Sequence, residues 1–196
     1  MPRLLPLPRV LADTPSRSIL LRLVGFGLFE LRWTSAIIDA AWRMTLANNP
    51  QLRPLDLVPV FDSLRDGCPG ADVLDEEVLS GEIPLWAEGY EILAAAAAGN
   101  VDAILVFHRR QLPMQNFDAP VMTLDELLQR CWREHTAEVL LALMEKSVDL
   151  SHPLEKMFEQ LRGLYPHAPV FVKELLNCAP YATPLIQLYR EFGGPE

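Results

Sequence analysis

The stretch that decides the fold runs from Tyr90 to Phe107, YEILAAAAAGNVDAILVF. Its first half carries Tyr90, Ile92, Leu93 and five consecutive alanines, a helix slim enough to pack closely on a sheet, and Gly99-Asn100 supplies the stop. Its second half, Val101 to Phe107, is a nearly continuous apolar run, as in a strand covered on both faces. A helix, a tight turn and a buried strand in immediate succession predict an α/β fold with a parallel sheet.

Upstream, Ile19, Leu20, Leu23, Val24 and Leu28 recur at helical spacing after Pro15 and Ser16, which predicts a helix from about Pro15 to Gly27. Phe29, Leu31 and Trp33 alternate with Glu30 and Arg32 as in a strand, and Thr34 is placed to cap a helix reaching Asn48. Asn48-Asn49-Pro50 breaks that helix, and a third is expected over Leu55 to Leu64 before the loop GCPGAD. From Ala71 to Ala87 the chain is acidic and irregular. Downstream, Ala119 to Met122 reads as a short strand, and Thr123 with Glu126 matches a capping box opening another helix. Breaks at Ser151-His152-Pro153, Tyr165-Pro166 and Ala179-Pro180 divide the remainder into short helices. The expected organisation is an α/β domain over 1–130 and a helical extension over 131–196 packed on it.

The chain has 196 residues, 50% hydrophobic, enough to bury a core without disulfides or a structural metal. Cys68, Cys131 and Cys178 are odd in number and show no zinc spacing, so reduced thiols in a cytoplasmic protein are expected. The opening MPRLLPLPRVLA superficially matches a signal peptide, but Pro6, Pro8 and Arg9 interrupt its apolar core. The longest uncharged apolar run, Ile92 to Ala98, falls far short of the roughly 20 residues that span a bilayer, so no membrane association is expected. A net charge of −9 opposes non-specific nucleic-acid binding but leaves room for a local basic patch.

Parallel sheets bind ligands at the carboxyl ends of their strands, which points to His108, Arg109, Arg110 and Gln111 after the apolar run. The planar donors of the two arginines suit phosphate oxygens, although adjacent arginines are also common on plain solvated loops. Asp72, Asp75, Glu76, Glu77 and Glu82 fit no metal-loop spacing and read as a solvated acidic loop. Glu88 and Glu91 lie where carboxylates favour a helix start electrostatically. His108, His135, His152 and His167 are scattered, and there is no GxSxG, HExxH or glycine-rich phosphate loop. Trp33, Trp42, Trp86 and Trp132 serve either as core or as anchors of an interface, which would make the chain a self-assembling structural or regulatory subunit; a homo-oligomer is expected.

The segments RSILLRL (Arg17 to Leu23), FELRWTSAIID (Phe29 to Asp39), ILAAAAAGNVDAILVFHRRQLP (Ile92 to Pro113) and PVMTLDELL (Pro120 to Leu128), in this order, resemble the PIN-domain family. The subgroup most similar comprises bacterial toxin–antitoxin ribonuclease toxins with an extra helical C-terminal region. The resemblance implies a PIN-like three-layer α/β/α sandwich in which acids at the strand ends hold magnesium or manganese against RNA, with an antitoxin-like protein or RNA as partner.

The family's acids do not carry over. Its first aspartate, at the end of the first strand within Leu-Asp-Ala-Asn-Val-Leu, falls at Leu7, with Asp13 the nearest acid. Its glutamate after Ile-Leu-Asp falls at Ala40, beside Asp39, and its central aspartate at Gly89, beside Glu88. Its Thr-x-Asn-x-x-Asp-Phe-Pro is replaced by Val106 to Pro113, with His108 and Gln111 in place of the Asn and Asp. The resemblance then implies a degenerate domain with no catalytic residue and no cofactor, binding a protein or an RNA or phosphate ligand through His108, Arg109, Arg110 and Gln111. An active magnesium or manganese endoribonuclease would need rescue by Asp13, Asp39 and Glu88, although a one-residue shift on a helix turns a side chain by about 100°.

Overall fold

The computed structural model describes residues 1–73, 90–112, 120–149 and 160–177. They form two compact units, Met1–Leu124 and Asp125–Glu196.

The first unit is built on a four-stranded, all-parallel sheet of β1 (Arg3–Pro6), β2 (Glu30–Leu31), β3 (Ala103–Val106) and β4 (Val121–Thr123), in the order β2-β1-β3-β4. All four residues of β3 are buried, so both of its faces are covered, as its unbroken apolar sequence predicts. Leu4 and Leu5 of β1 are buried beside it, in register with Ala103 and Ile104.

The sequence pattern alone assigns no element to the first twelve residues, yet they supply the central strand and α1 (Pro8–Ala12). Proline is disfavoured within a sheet because it cannot donate to the ladder. The hydrogen bonds show why it is tolerated. The carbonyls of Pro2 and Leu4 accept from Glu30 N–H and Arg32 N–H, both at 2.8 Å, so even-numbered residues face the two-residue strand β2. On the other side Arg3 O accepts from Asp102 N–H at 2.8 Å and Leu7 N–H donates to Leu105 O at 2.9 Å. The missing N–H groups of Pro2 and Pro6 thus fall on the short side, and the long pairing with β3 keeps its donors.

Among the described residues four helices lie between β1 and the alanine-rich segment. After α1 comes α2 (Thr14–Gly25), then α3 (Ser35–Asn48) and α4 (Pro54–Gly67). Asp13 is the N-cap of α2, with Pro15 in its first turn. Thr34 caps α3 as its sequence predicts, its hydroxyl accepting from Ile37 N–H. Helix α4 extends past the expected Leu55 to Leu64 at both ends; it starts at Pro54, which suits a first helical position, and Asp56 closes the first turn onto Arg53 N–H at 2.8 Å. Ile19, Leu20, Leu23, Ile37, Ile38, Leu57, Phe61 and Leu64 bury the apolar faces of these helices.

The alanine-rich helix, α5 (Tyr90–Ala98), ends at Gly99-Asn100 for two separate reasons. Asn100 takes a left-handed conformation, φ 46°, which asparagine tolerates better than most residues. At Gly99 a Cβ would stand 3.0 Å from Ala95 O and 3.1 Å from Val73 Cγ2, so a side chain would press on both neighbours. Beyond β2, Trp33 N–H donates to Ala71 O and Val73 N–H to Trp33 O, adding one parallel bridge outside β2.

In the second unit, α6 (Leu124–Glu134) and α7 (Thr136–Asp149) are followed by helical segments at 160–164 and 169–177. Helix α6 buries Leu127, Leu128 and Cys131 and exposes Glu126, Arg130 and Arg133, the division its spacing predicts. Asp125 accepts from Phe171 N–H at 2.8 Å and Val170 N–H at 3.3 Å, and so caps segment 169–177 from another helix. Tyr165 meets Phe171 edge-on at 6.4 Å. Among the described residues no helix is long and apolar enough to cross a membrane.

Candidate functional site at the carboxyl ends of the central strands

Strands β1 and β3 are neighbours, and the chain leaves them in opposite directions, toward β2 from one and toward β4 from the other. In open parallel sheets the carboxyl ends of the strands at such a divergence are the usual ligand position. The residues there are Leu7 to Arg9 after β1 and Phe107 to Gln111 after β3.

His108, Arg109 and Arg110 are exposed on the turn that follows β3, and Arg109 to Gln111 form one 3-10 turn. Gln111 is half-buried and folds back, its Oε1 accepting from Phe107 N–H at 2.9 Å and His108 N–H at 3.3 Å. Its backbone N–H in turn donates to His108 O at 2.9 Å. These bonds hold the backbone of the turn that carries the two arginines. The sequence marks His108, Arg109 and Arg110 through their place after the strand, but not this use of Gln111.

The positions where the resemblance would place metal ligands offer other chemistry. Leu7 is buried hydrocarbon at the end of β1, and Ala40 on α3 has a methyl group. Asp39 is exposed on α3. Asp13 is engaged as the cap of α2, one carboxylate oxygen accepting from Ser16 N–H at 3.0 Å and Ser16 Oγ at 2.5 Å. Glu88, Gly89 and the side chain of Glu91 lie outside the described residues. Among the described residues no group of three or more His, Cys, Asp or Glu is placed to hold a metal ion. Leu7, Ala40 and the engaged Asp13 do not fit a dication, which needs several free oxygens to replace its water.

Close to the elbow between α1 and α2 lies a buried cation, Arg17. Arg17 donates to Leu11 O at 2.6 Å and lies over the Phe61 ring at 5.6 Å. Burial pushes its pKa down, and the neighbouring charge of Asp13 opposes that shift. Thr45 Oγ1 donates to Ala41 O at 2.8 Å and lies 3.4 Å from Ala12 O. Arg17 thus satisfies a carbonyl that α1 leaves open at its end, a structural task.

The other sequence candidates lie in packing. Asp72 accepts from Trp33 Nε1 at 2.9 Å, and the remaining acids of its cluster are outside the described residues. Trp33 and Trp132 are buried, and Trp42 packs on Phe61 at 5.1 Å; Trp86 is outside the described residues. His135 and His167 are half-buried in the second unit, and His152 is not described. Cys68 and Cys131 are free, and burial pushes both thiols up to about 11.

Comparison with protein-family models, with curated proteins and with solved structures finds no match.

Proposed function

We propose that the first unit is a PIN-like domain without metal chemistry, which works by binding a phosphate-bearing ligand, RNA first among them, on the turn His108-Arg109-Arg110. The observation that carries this reading is the position of the turn. Two exposed arginines stand on a backbone held by Gln111, at the end of a buried strand and beside the point where the chain diverges. Guanidinium groups make charge-assisted, often bidentate bonds to phosphate oxygens, and a held backbone reduces the entropy lost on binding. The hydrocarbon at Leu7 and Ala40 supports binding over hydrolysis, because cleavage by a metal-held water needs carboxylates there.

The test is a fluorescence anisotropy titration of the whole chain with a labelled single-stranded RNA, without metal and then with magnesium or manganese. Binding that is independent of metal, with intact RNA recovered, is the expected result. RNA cleavage that requires the metal and is abolished by substitution of Asp13 or Glu88 would overturn the proposal in favour of a nuclease.

A further inference from the structure

The turn after β3 is not the only source of positive charge at this edge. Leu7 N–H still bonds Leu105 O at 2.9 Å as the chain leaves β1, so the start of α1 lies about one strand spacing, roughly 5 Å, from the end of β3. Pro8 opens α1, and Val10, Leu11 and Ala12 are all buried. With those three turned inward, Arg9 is left outward, and it is exposed. Among the described residues neither Arg9 nor Arg110 makes an ion pair.

We infer that Arg9 is a further binding residue of this site, and that the ligand lies across both strand ends with successive phosphates of a single-stranded RNA on Arg9 and on Arg109-Arg110. The inference rests on the reading of the turn given above. Its own basis is the geometry of β1: two arginines without an ion pair among the described residues are carried by segments far apart in sequence that leave neighbouring strand ends because β1 pairs with β3. One phosphate can satisfy one fork fully, whereas cations spread over two strand ends match a chain whose charge repeats. Contacts of this kind read the backbone, so affinity depends on salt and hardly on sequence.

The experiment measures the affinity of the full chain for a labelled oligouridylate over a range of salt concentrations, with inorganic phosphate and tripolyphosphate as competitors. Each phosphate contact to a single strand contributes about 0.7 to the slope of log K against log salt, or about fivefold in affinity at 0.1 M salt. Arg9→Ala is expected to weaken binding about fivefold and to lower the slope by about 0.7, while Arg9→Lys, which keeps the charge, retains the slope. In the unaltered chain tripolyphosphate should displace the RNA at lower concentration than inorganic phosphate, and Arg9→Ala should narrow that difference. Unchanged affinity and slope in Arg9→Ala, with binding weakened in Arg109→Ala/Arg110→Ala, would overturn the role of Arg9 alone. Unchanged binding in all of these variants would instead overturn the reading of the turn.

Discussion

At the amino end of the sheet, Arg3 and Arg32 both meet Glu30, at 3.4 and 2.9 Å, and Arg32 also donates to Gly70 O. Asp102 accepts from Arg3 N–H at 2.7 Å and completes a group of two cations and two carboxylates. At the carboxyl end, Arg9 and Arg110 find no carboxylate among the described residues. The same residue type therefore serves two purposes on one sheet. Where the charges close on each other, they hold strands in register; where they stay open, they are available to an anion from outside. Stability should respond to changes at the first end and binding to changes at the second.

The largest effect expected concerns how closed the amino end is. Cys68 is buried at the end of α4, next to the segment that carries Gly70 and Asp72. With its thiol pushed up to about 11, it carries about two orders of magnitude less thiolate at pH 8 than an exposed cysteine does. In a Cys131→Ser/Cys178→Ser background, labelling by a thiol reagent should be at least a hundredfold slower in the folded chain than in urea. The sign of the pH dependence follows from the raised value. The unfolded thiol ionises first, so the contribution to stability is full below about pH 9 and is lost as pH rises toward about 11. Fast labelling of the folded chain would show that this end opens and would break the contrast.

The second effect tests the open end. Arg109→Ala/Arg110→Ala should weaken RNA binding by about 25-fold at 0.1 M salt, two contacts at roughly fivefold each, and leave the melting temperature unchanged. Arg3→Ala/Arg32→Ala should do the reverse, with binding within about twofold and a lower melting temperature. Equal losses of binding from both pairs would mean that RNA responds only to net charge, and that neither end is a site.

The open end of this contrast is partly legible in the sequence, and what is not legible depends on contacts that only the folded chain makes. Helix α3 is legible because Thr34, Ser35 and the apolar face Ile37, Ile38 and Ala41 are local signals, and β3 is legible because burial on both faces leaves no room for polar residues. The turn His108-Arg109-Arg110 follows from its place after that strand. By contrast, β1 is a four-residue strand flanked and ended by prolines, and only its pairing partners show that their missing donors fall on the side of β2. Arg9 was hidden for the same reason, since its neighbours at the edge are set by pairing across about a hundred residues. The role of Gln111 depends on a side chain turning back on its own backbone, which composition does not reveal.

A third effect, somewhat smaller, probes the turn that feeds the amino end. Gly99→Ala would set a Cβ against Ala95 O and Val73 Cγ2, a backbone atom and a packed methyl that have little freedom to yield. Overpacking of this kind costs about 1.5 kcal/mol, to be read from urea unfolding, with RNA affinity of the folded fraction unchanged.

The smallest effect addresses the acid nearest the open end. Asp13 is the only carboxylate that the resemblance leaves near the end of β1, and one of its oxygens is engaged by Ser16 at the start of α2. As a cap, its replacement in Asp13→Ala should cost about 1 kcal/mol of stability, because the first turn of α2 loses an acceptor. Asp13→Asn, which keeps a capping oxygen but removes the charge, should restore most of that loss. As a metal ligand, Asp13 would behave differently: both variants would lose any magnesium-dependent response equally, since an amide oxygen is a poor substitute for a carboxylate on a hard cation. Recovery in Asp13→Asn, with RNA binding unchanged in both variants, would place Asp13 with the engaged polar groups of the fold and leave binding to the arginines at the strand ends.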